Sequence, residues 1–257
     1  MRMRLNKNAG YLVAELHCKD LLKAAETATA QFFSQNSTEK QAYHRNDFEH
    51  GYFSSAEKEL FLIRDNTMPK VLHPCRDYLE FMYNFSKECL AFIATEMGWP
   101  PEHLYQLIDD KPLSSGQLAN SVLGGFQYYG GKELGVSTAE HQDLGLLTIL
   151  PRSNIAALEI YDFDQTGKWI NIENQLQENE LLVMFGETLT LITNGKLIPA
   201  THRVQKTQLP RTALVYRVRA KPNALLDANL FENPVSITAA TFIGGERSKR
   251  TSVNGLY

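Results

Sequence analysis

The chain has 257 residues, 43% of them hydrophobic, with 26 basic and 29 acidic side chains and a formal net charge of −3. That is enough apolar material for one large core or two small ones, and the charge balance gives no reason to expect nucleic acid or an anionic membrane as a partner. Two arginines open the chain without an apolar stretch behind them, and no apolar run reaches bilayer length, so neither a secretory signal nor a membrane span is expected.

A strand-like piece, Gly10 to Ala14, comes first. Residues 19–35 then place Leu21, Leu22, Ala25, Ala28, Phe32 and Phe33 at helical spacing. Asn36 with Glu39 three places on reads as an N-cap and its reciprocal partner, opening a short helix. A longer helix is expected from about Pro74 to Met97, because Tyr78, Phe81, Phe85, Cys89 and Phe92 form one apolar stripe and Gly98, Pro100 and Pro101 stop it. From about Ser121 the texture changes. Leu146–Leu150, Leu158–Phe163, Trp169–Ile172, Leu181–Phe185, Thr201–Gln205 and Arg211–Val218 are short β-prone runs separated by turn residues. Many short strands without long helices between them indicate an antiparallel sandwich or barrel, of which a jelly roll is one form. In the tail, Phe231, Val235, Ile237, Phe242 and Ile243 suggest a helix or an extra strand, and Glu246 to Arg250 a solvated end. Cys18, Cys75 and Cys89 are odd in number and lack metal-ligand spacing, which fits structural thiols in a cytoplasmic enzyme rather than a disulfide scaffold.

Chemistry concentrates at His141-Gln142-Asp143. Residues two apart on an extended chain point the same way, so this imidazole and carboxylate can reach one ion. A second imidazole, His202, lies in a strand-like segment after 58 intervening residues, room for about four strands and their turns. Two histidines and one carboxylate leave coordination positions open, which suits iron(II). Zinc accepts the same ligand types, so the residues alone do not choose the metal. Arg211 follows His202 by nine residues, and a buried guanidinium there could hold a carboxylate with two charge-assisted hydrogen bonds.

From Phe126 to Tyr216 the chain resembles the 2-oxoglutarate-dependent dioxygenases of the isopenicillin N synthase type. The resemblance is carried by Gln127-Tyr128-Tyr129, by Glu140 to Leu150, by Gly167-Lys168-Trp169, by Phe185-Gly186-Glu187, by Thr193-Asn194-Gly195, by Thr201 to Val204 and by Pro210-Arg211-Thr212, in that order. It implies a mainly β fold with flanking helices: a double-stranded β-helix (jelly roll) core over residues 111–222, an α-rich region 1–110 packed on it and a tail 223–257. It also implies iron(II) on His141, Asp143 and His202, with 2-oxoglutarate and O2 as co-reactants. The far carboxylate of 2-oxoglutarate would pair with Arg211, and Tyr129 would help hold that molecule. One position departs from the family's Arg-x-Ser pattern: Ala213 stands where the serine hydroxyl belongs. Losing one hydrogen bond costs about 0.5–1.5 kcal/mol, so the departure weakens the cosubstrate site without abolishing it. A carboxylate ligand at Asp143 argues for oxygen transfer or dehydrogenation over halogenation.

By the same resemblance, the run Glu59 to Arg64 passes near the mouth of the site, where Arg64 would meet an acidic substrate. Arg152, Phe126 and Tyr128 are further substrate-contact candidates. The expected activity is hydroxylation of a small metabolite, an amino-acid derivative or natural-product intermediate, with release of succinate and CO2. Oxidative cyclisation or desaturation on the same iron is the alternative, and a catalytically silent binding module is the reading from another class.

Overall fold

The computed structural model describes residues 2–46, 49–112, 117–163, 167–226 and 236–254. In chain order the elements begin with β1 (Met3–Asn6), β2 (Tyr11–Glu15), α1 (Lys19–Ser34), α2 (Ser37–Gln41), β3 (Gly51–Ser54), β4 (Lys58–Ile63), α3 (Cys75–Met97) and α4 (Glu102–Tyr105). They continue with β5 (Val122–Tyr128), β6 (Val136–His141), β7 (Leu147–Pro151), β8 (Leu158–Asp162), β9 (Lys168–Asn171), β10 (Glu180–Phe185) and α5 (Glu187–Ile192). The last are β11 (His202–Gln205), β12 (Arg211–Val218), β13 (Leu225–Leu226), β14 (Ile237–Thr238) and α6 (Ala239–Asn254).

The strands form an eight-stranded sheet in the order β1-β2-β10-β7-β12-β5-β4-β3, a four-stranded sheet β6-β11-β8-β9, and the small β13-β14 pair. Period-two alternation sorts the side chains of the large sheet. Leu214, Tyr216 and Val218 of β12 join Leu147, Ile149, Leu181 and Val183 in the core shared with α1 and α3. Ala213, with Phe126, Tyr128, Leu150, Leu182 and Met184, turns to the other face and meets Leu158, Ile160 and Val204 of the small sheet. Helices thus cover one side of the large sheet and the small sheet covers the other.

The helices form where their signals lie. Asn36 and Glu39 make the expected reciprocal cap on α2. In α3, Tyr78, Phe85 and Cys89 are buried while Phe81 and Phe92 lie at the border of the core, and Gly98 closes the helix at φ +74°. Residues 1–110 are less α-rich than expected, because β1 and β2 extend one edge of the large sheet and β4 and β3 the other. The large sheet takes strands from both sides of residue 110. In the tail, α6 is seated through Ala239, buried, and Phe242, half-buried against the main core; Phe231 and Val235 lie outside the described residues.

Candidate metal centre and its two cavities

His141 ends β6 and His202 opens β11, and the two are direct register partners in the small sheet. After His141 the chain leaves that sheet and crosses to β7 of the large one, with Asp143 in the crossing loop. The loop hangs from the start of α5. The amides of Gly186, Glu187 and Thr188 donate to the carbonyls of Leu146, Asp143 and Gly145 at 3.0, 2.8 and 3.2 Å. Gly186 is required there, since a Cβ would overlap the Gly145 carbonyl oxygen and stand 2.8 Å from that of Asp143. Gly186→Ala is therefore expected to displace Asp143 and lower metal affinity at least tenfold, the lower bound for disturbing an outer-shell support. Equilibrium metal titration checks this; unchanged affinity would show that the loop has slack.

His141 Nε2 lies 3.8 Å from Asp143 Oδ1 and His202 Nε2 lies 3.9 Å from Asp143 Oδ2. One ligand atom from each of the three residues falls within 4.8 Å of the others. The Nδ1 atoms face the carbonyls of Ala139 (2.8 Å) and Ala200 (3.0 Å). A carbonyl accepts only, so Nδ1 carries the proton and the Nε2 lone pairs are left for an ion. Burial, aided by neighbouring His202, pushes His141 down to about 4, so it is neutral and ready to ligate at physiological pH. Burial favours a protonated Asp143, but His202, Arg217, His141 and the donated Thr148 hydroxyl together hold this carboxyl well below its usual range. Because His141 protonates at a lower pH in the fold than its ordinary 6.5, protons favour the unfolded chain. The metal-free protein should hold this contribution above about 6.5 and lose it as pH falls toward 4, read as a falling Tm across that window. A Tm that rose over the same range would contradict the burial of this imidazole.

Two cavities meet at the triad. The inner one, about 80 Å³, runs between the sheets and is lined by His141, Asp143 and His202 at one end and by Arg211, Ala213, Phe126, Tyr128 and Lys58 beyond them. The outer one, about 170 Å³, is bounded by His141, Asp143, Thr148, Arg217, Arg219 and Arg247. Arg211 is 2% exposed. Its Nε donates to Ser153 Oγ and the Ile155 carbonyl, each at 3.1 Å, and its Nη2 to both oxygens of Glu173 at 3.3 Å. Glu173, fully buried, also accepts from the amides of Ser153, Ala157 and Leu158 at 2.9, 2.8 and 2.8 Å. Its carboxyl is held below the ordinary value: burial opposes this, but Arg211 and the donors around it prevail. Arg211 Nη1 has no hydrogen-bond partner among the described residues. Lys58, Tyr128 and Arg211 form a row across β4, β5 and β12, with both cations over the tyrosine ring, at 5.4 and 5.1 Å from its centroid.

The fold brings His141, Asp143, His202, Arg211, Phe126 and Tyr128 to this place. It does not bring the other three candidates. Tyr129 follows the end of β5, is 45% exposed and lines a separate surface cavity with Glu57 and Lys206. Arg64 lies one residue past β4 and is spent on Glu49 (2.7 Å) and the Ala119 carbonyl. Arg152 is exposed and outside both cavities. Sequence reasoning missed Lys58, Thr148, Glu173 and Arg217. Arg217 was within reach, because an even step of six from Arg211 along one strand keeps it on the same face.

Residues 120–220 match the model of the 2OG-Fe(II) oxygenase superfamily. Among curated proteins, the chain is 29% identical over 168 residues to the 2-oxoglutarate-dependent dioxygenase gloF of Glarea lozoyensis, covering 63% of this chain and 48% of that one. It is 28% identical over 159 residues to gibberellin 3-beta-dioxygenase 3 of Arabidopsis thaliana, covering 60% and 45%. The chain thus spans about half the length of these relatives. Among solved structures, a 2OG-Fe(II) oxygenase family protein from Caulobacter crescentus shares the fold at TM-score 0.78 and 19% identity, over 95% of this chain and 90% of that one. A full-length Neurospora crassa protein, solved in complex with alpha-KG and 5-formyluracil, does so at TM-score 0.76 and 17% identity, over 94% and 86%. The His-Asp-His cluster lies inside the span, residues 120–220, that is similar to the 2OG-Fe(II) oxygenase superfamily.

Proposed function

We propose that this protein is an iron(II)- and 2-oxoglutarate-dependent oxygenase that hydroxylates a small metabolite and releases succinate and CO2. The observation that carries this is the convergence of His141, Asp143 and His202 at one end of a cavity whose other end holds Arg211. Two imidazoles and a carboxylate on one face of an ion are the donor set of non-haem iron(II) sites with open positions. Iron(II) bound there with 2-oxoglutarate and O2 supplies the oxidising power that breaks a substrate C–H bond. The protein residues orient and exclude. Arg211 offers Nη1 to the far carboxylate of 2-oxoglutarate, Glu173 fixes the plane of that guanidinium, and Tyr128 walls the space between. Tyr128 thereby takes the part first expected of Tyr129. Residues 111–222 would form the double-stranded β-helix core, with 1–110 against it and 223–257 as a tail. Cys18, Cys75 and Cys89 are buried free thiols, which suits a reducing cytoplasm. Among the described residues no helix is long and apolar enough to cross a membrane.

Anaerobic addition of iron(II) and 2-oxoglutarate should give the weak visible charge-transfer band of a chelated keto acid. No band and no 2-oxoglutarate turnover would defeat the assignment, and a matching zinc affinity with no iron uptake would redirect it to zinc. Ala213→Ser restores a hydroxyl beside Arg211 and should hold or tighten 2-oxoglutarate binding, by up to roughly tenfold for one good hydrogen bond. A marked loss in the band titration would mean that Ala213 does not border the cosubstrate.

A further inference from the structure

The outer cavity has an unusual charge balance. Arg64, Arg219 and Arg247 all approach one carboxylate, Glu49, at 2.7, 3.4 and 3.7 Å. Arg217 stands beside them with no carboxylate in salt-bridge range among the described residues. Its Nε is buried and meets no acceptor there, and its guanidinium lies 5.6 Å from the Phe126 ring centroid. Buried donors in native proteins are nearly always satisfied, because an unmet charged donor costs more than a neutral one. Desolvation and then Arg217 pull the neighbouring Arg219 down to about 10, a further sign of crowded positive charge. Asp143 interacts electrostatically with Arg217, and a divalent ion on the triad would claim that carboxylate. Loading the metal therefore raises the local positive excess instead of relieving it.

Arg217 also occupies the junction: it lines both the inner cavity that ends at Arg211 and the outer one. Arg211 and Arg217 share a face of β12, six residues apart, one at the far end of the inner cavity and the other beside the triad. A ligand reaching Arg217 from the outer cavity is thus next to the metal position without entering the space before Arg211. A planar guanidinium with an unspent edge suits a carboxylate, which can take two parallel hydrogen bonds from it.

We propose that the outer cavity binds the carboxylate of the substrate to be oxidised, with Arg217 as its anchor and Arg219 flanking, so that the substrate class is small carboxylic acids. This rests on the oxygenase reading for the chemistry, but its test is a binding measurement that stands apart from turnover. The probes are acetate, benzoate and octanoate, with benzamide as the neutral match to benzoate. Their affinities for the manganese(II)-loaded, 2-oxoglutarate-saturated protein are read by relaxation of the probe protons. At least one carboxylate should bind, benzoate should exceed benzamide, and Arg217→Gln should weaken the bound acid roughly 10- to 100-fold, the worth of a charge-assisted pair. Arg217→Lys, which keeps the charge but loses the fork, should recover part of that loss. The iron(II)–2-oxoglutarate band should survive Arg217→Gln, separating this site from the cosubstrate's. Binding of none of the acids, equal binding of benzoate and benzamide, or unchanged affinity in a folded Arg217→Gln protein would each overturn the proposal. So would an Arg211→Gln protein that loses the acids while Arg217→Gln keeps them, since the anion would then occupy the cosubstrate end. A wild-type protein that binds acids through Arg217 yet gives no iron band would instead defeat the oxygenase reading alone.

Discussion

His202→Ala is expected to lower iron(II) affinity by more than the roughly 10- to 100-fold that loss of an outer-shell support costs, and to abolish the keto-acid band. The position explains the size of the effect. His202 is buried, is register-paired with His141, and points Nε2 to within 3.9 Å of Asp143 because Nδ1 is tied to Ala200. Alanine removes the donor and leaves two ligands, one at the end of the edge strand β6 and one in a loop. No other His, Cys, Asp or Glu among the described residues forms a group that could stand in. Anaerobic equilibrium dialysis with iron(II) gives the affinity, and a melting curve confirms that the variant folds. If the folded variant keeps wild-type affinity, the metal lies elsewhere and the site has been misread.

Glu173→Ala should be the most destabilising single substitution near the site. Arg211 and Glu173 are 2% and 0% exposed, and removing one partner leaves the other as an uncompensated buried charge. Breaking a pair of this kind costs about 3–5 kcal/mol, or a fall in Tm of roughly 10 °C for a chain of this size. The loss is larger than the ion pair alone, since the Ser153, Ala157 and Leu158 amides lose their acceptor and the turn from β7 to β8 loses its centre. Glu173→Gln keeps the shape and one acceptor, so its fall should be smaller. Because Glu173 titrates below its ordinary value, its contribution is complete at neutral pH and is lost as pH drops below about 4.5 through the depressed value. Calorimetry at pH 7 and pH 4 reads both effects, and a Glu173→Ala protein as stable as wild type would mean that Arg211 finds another partner.

The parts of this molecule that sequence made plain were those with a local physical signature. The Asn36–Glu39 cap, the Gly98 stop and the β-prone runs each announce themselves within a few residues. His141, Asp143 and His202 were legible from residue type and two-residue spacing, although their meeting depends on cross-strand register. Register is also what a sequence by itself leaves open. Tyr128 and Tyr129 are adjacent, and a single step along a strand exchanges the two faces, so only cross-strand pairing shows that Tyr128 is the one beside Arg211. Arg64, expected at the mouth of the site, lies just past β4 and turns to Glu49. Glu173 gave no sign at all. A lone glutamate in a polar stretch looks solvated until three amides and a guanidinium close around it. The helix Ala239–Asn254 was faint because Gly244 and Gly245 interrupt its apolar pattern.

The small sheet ends at β6, whose exposed face and shifted register with β11 make it the most lightly held strand bordering the triad. His141 closes that strand, while Asp143 belongs to a loop fastened to the large sheet. An ion gripped by both, and by His202, acts as a rivet between the two sheets. Occupancy at a hundredfold excess over Kd adds about 2.7 kcal/mol to the folded state, and much of that gain falls on β6. Empty protein should therefore fray along residues 136–141 first, giving an early protease cut that iron or manganese suppresses.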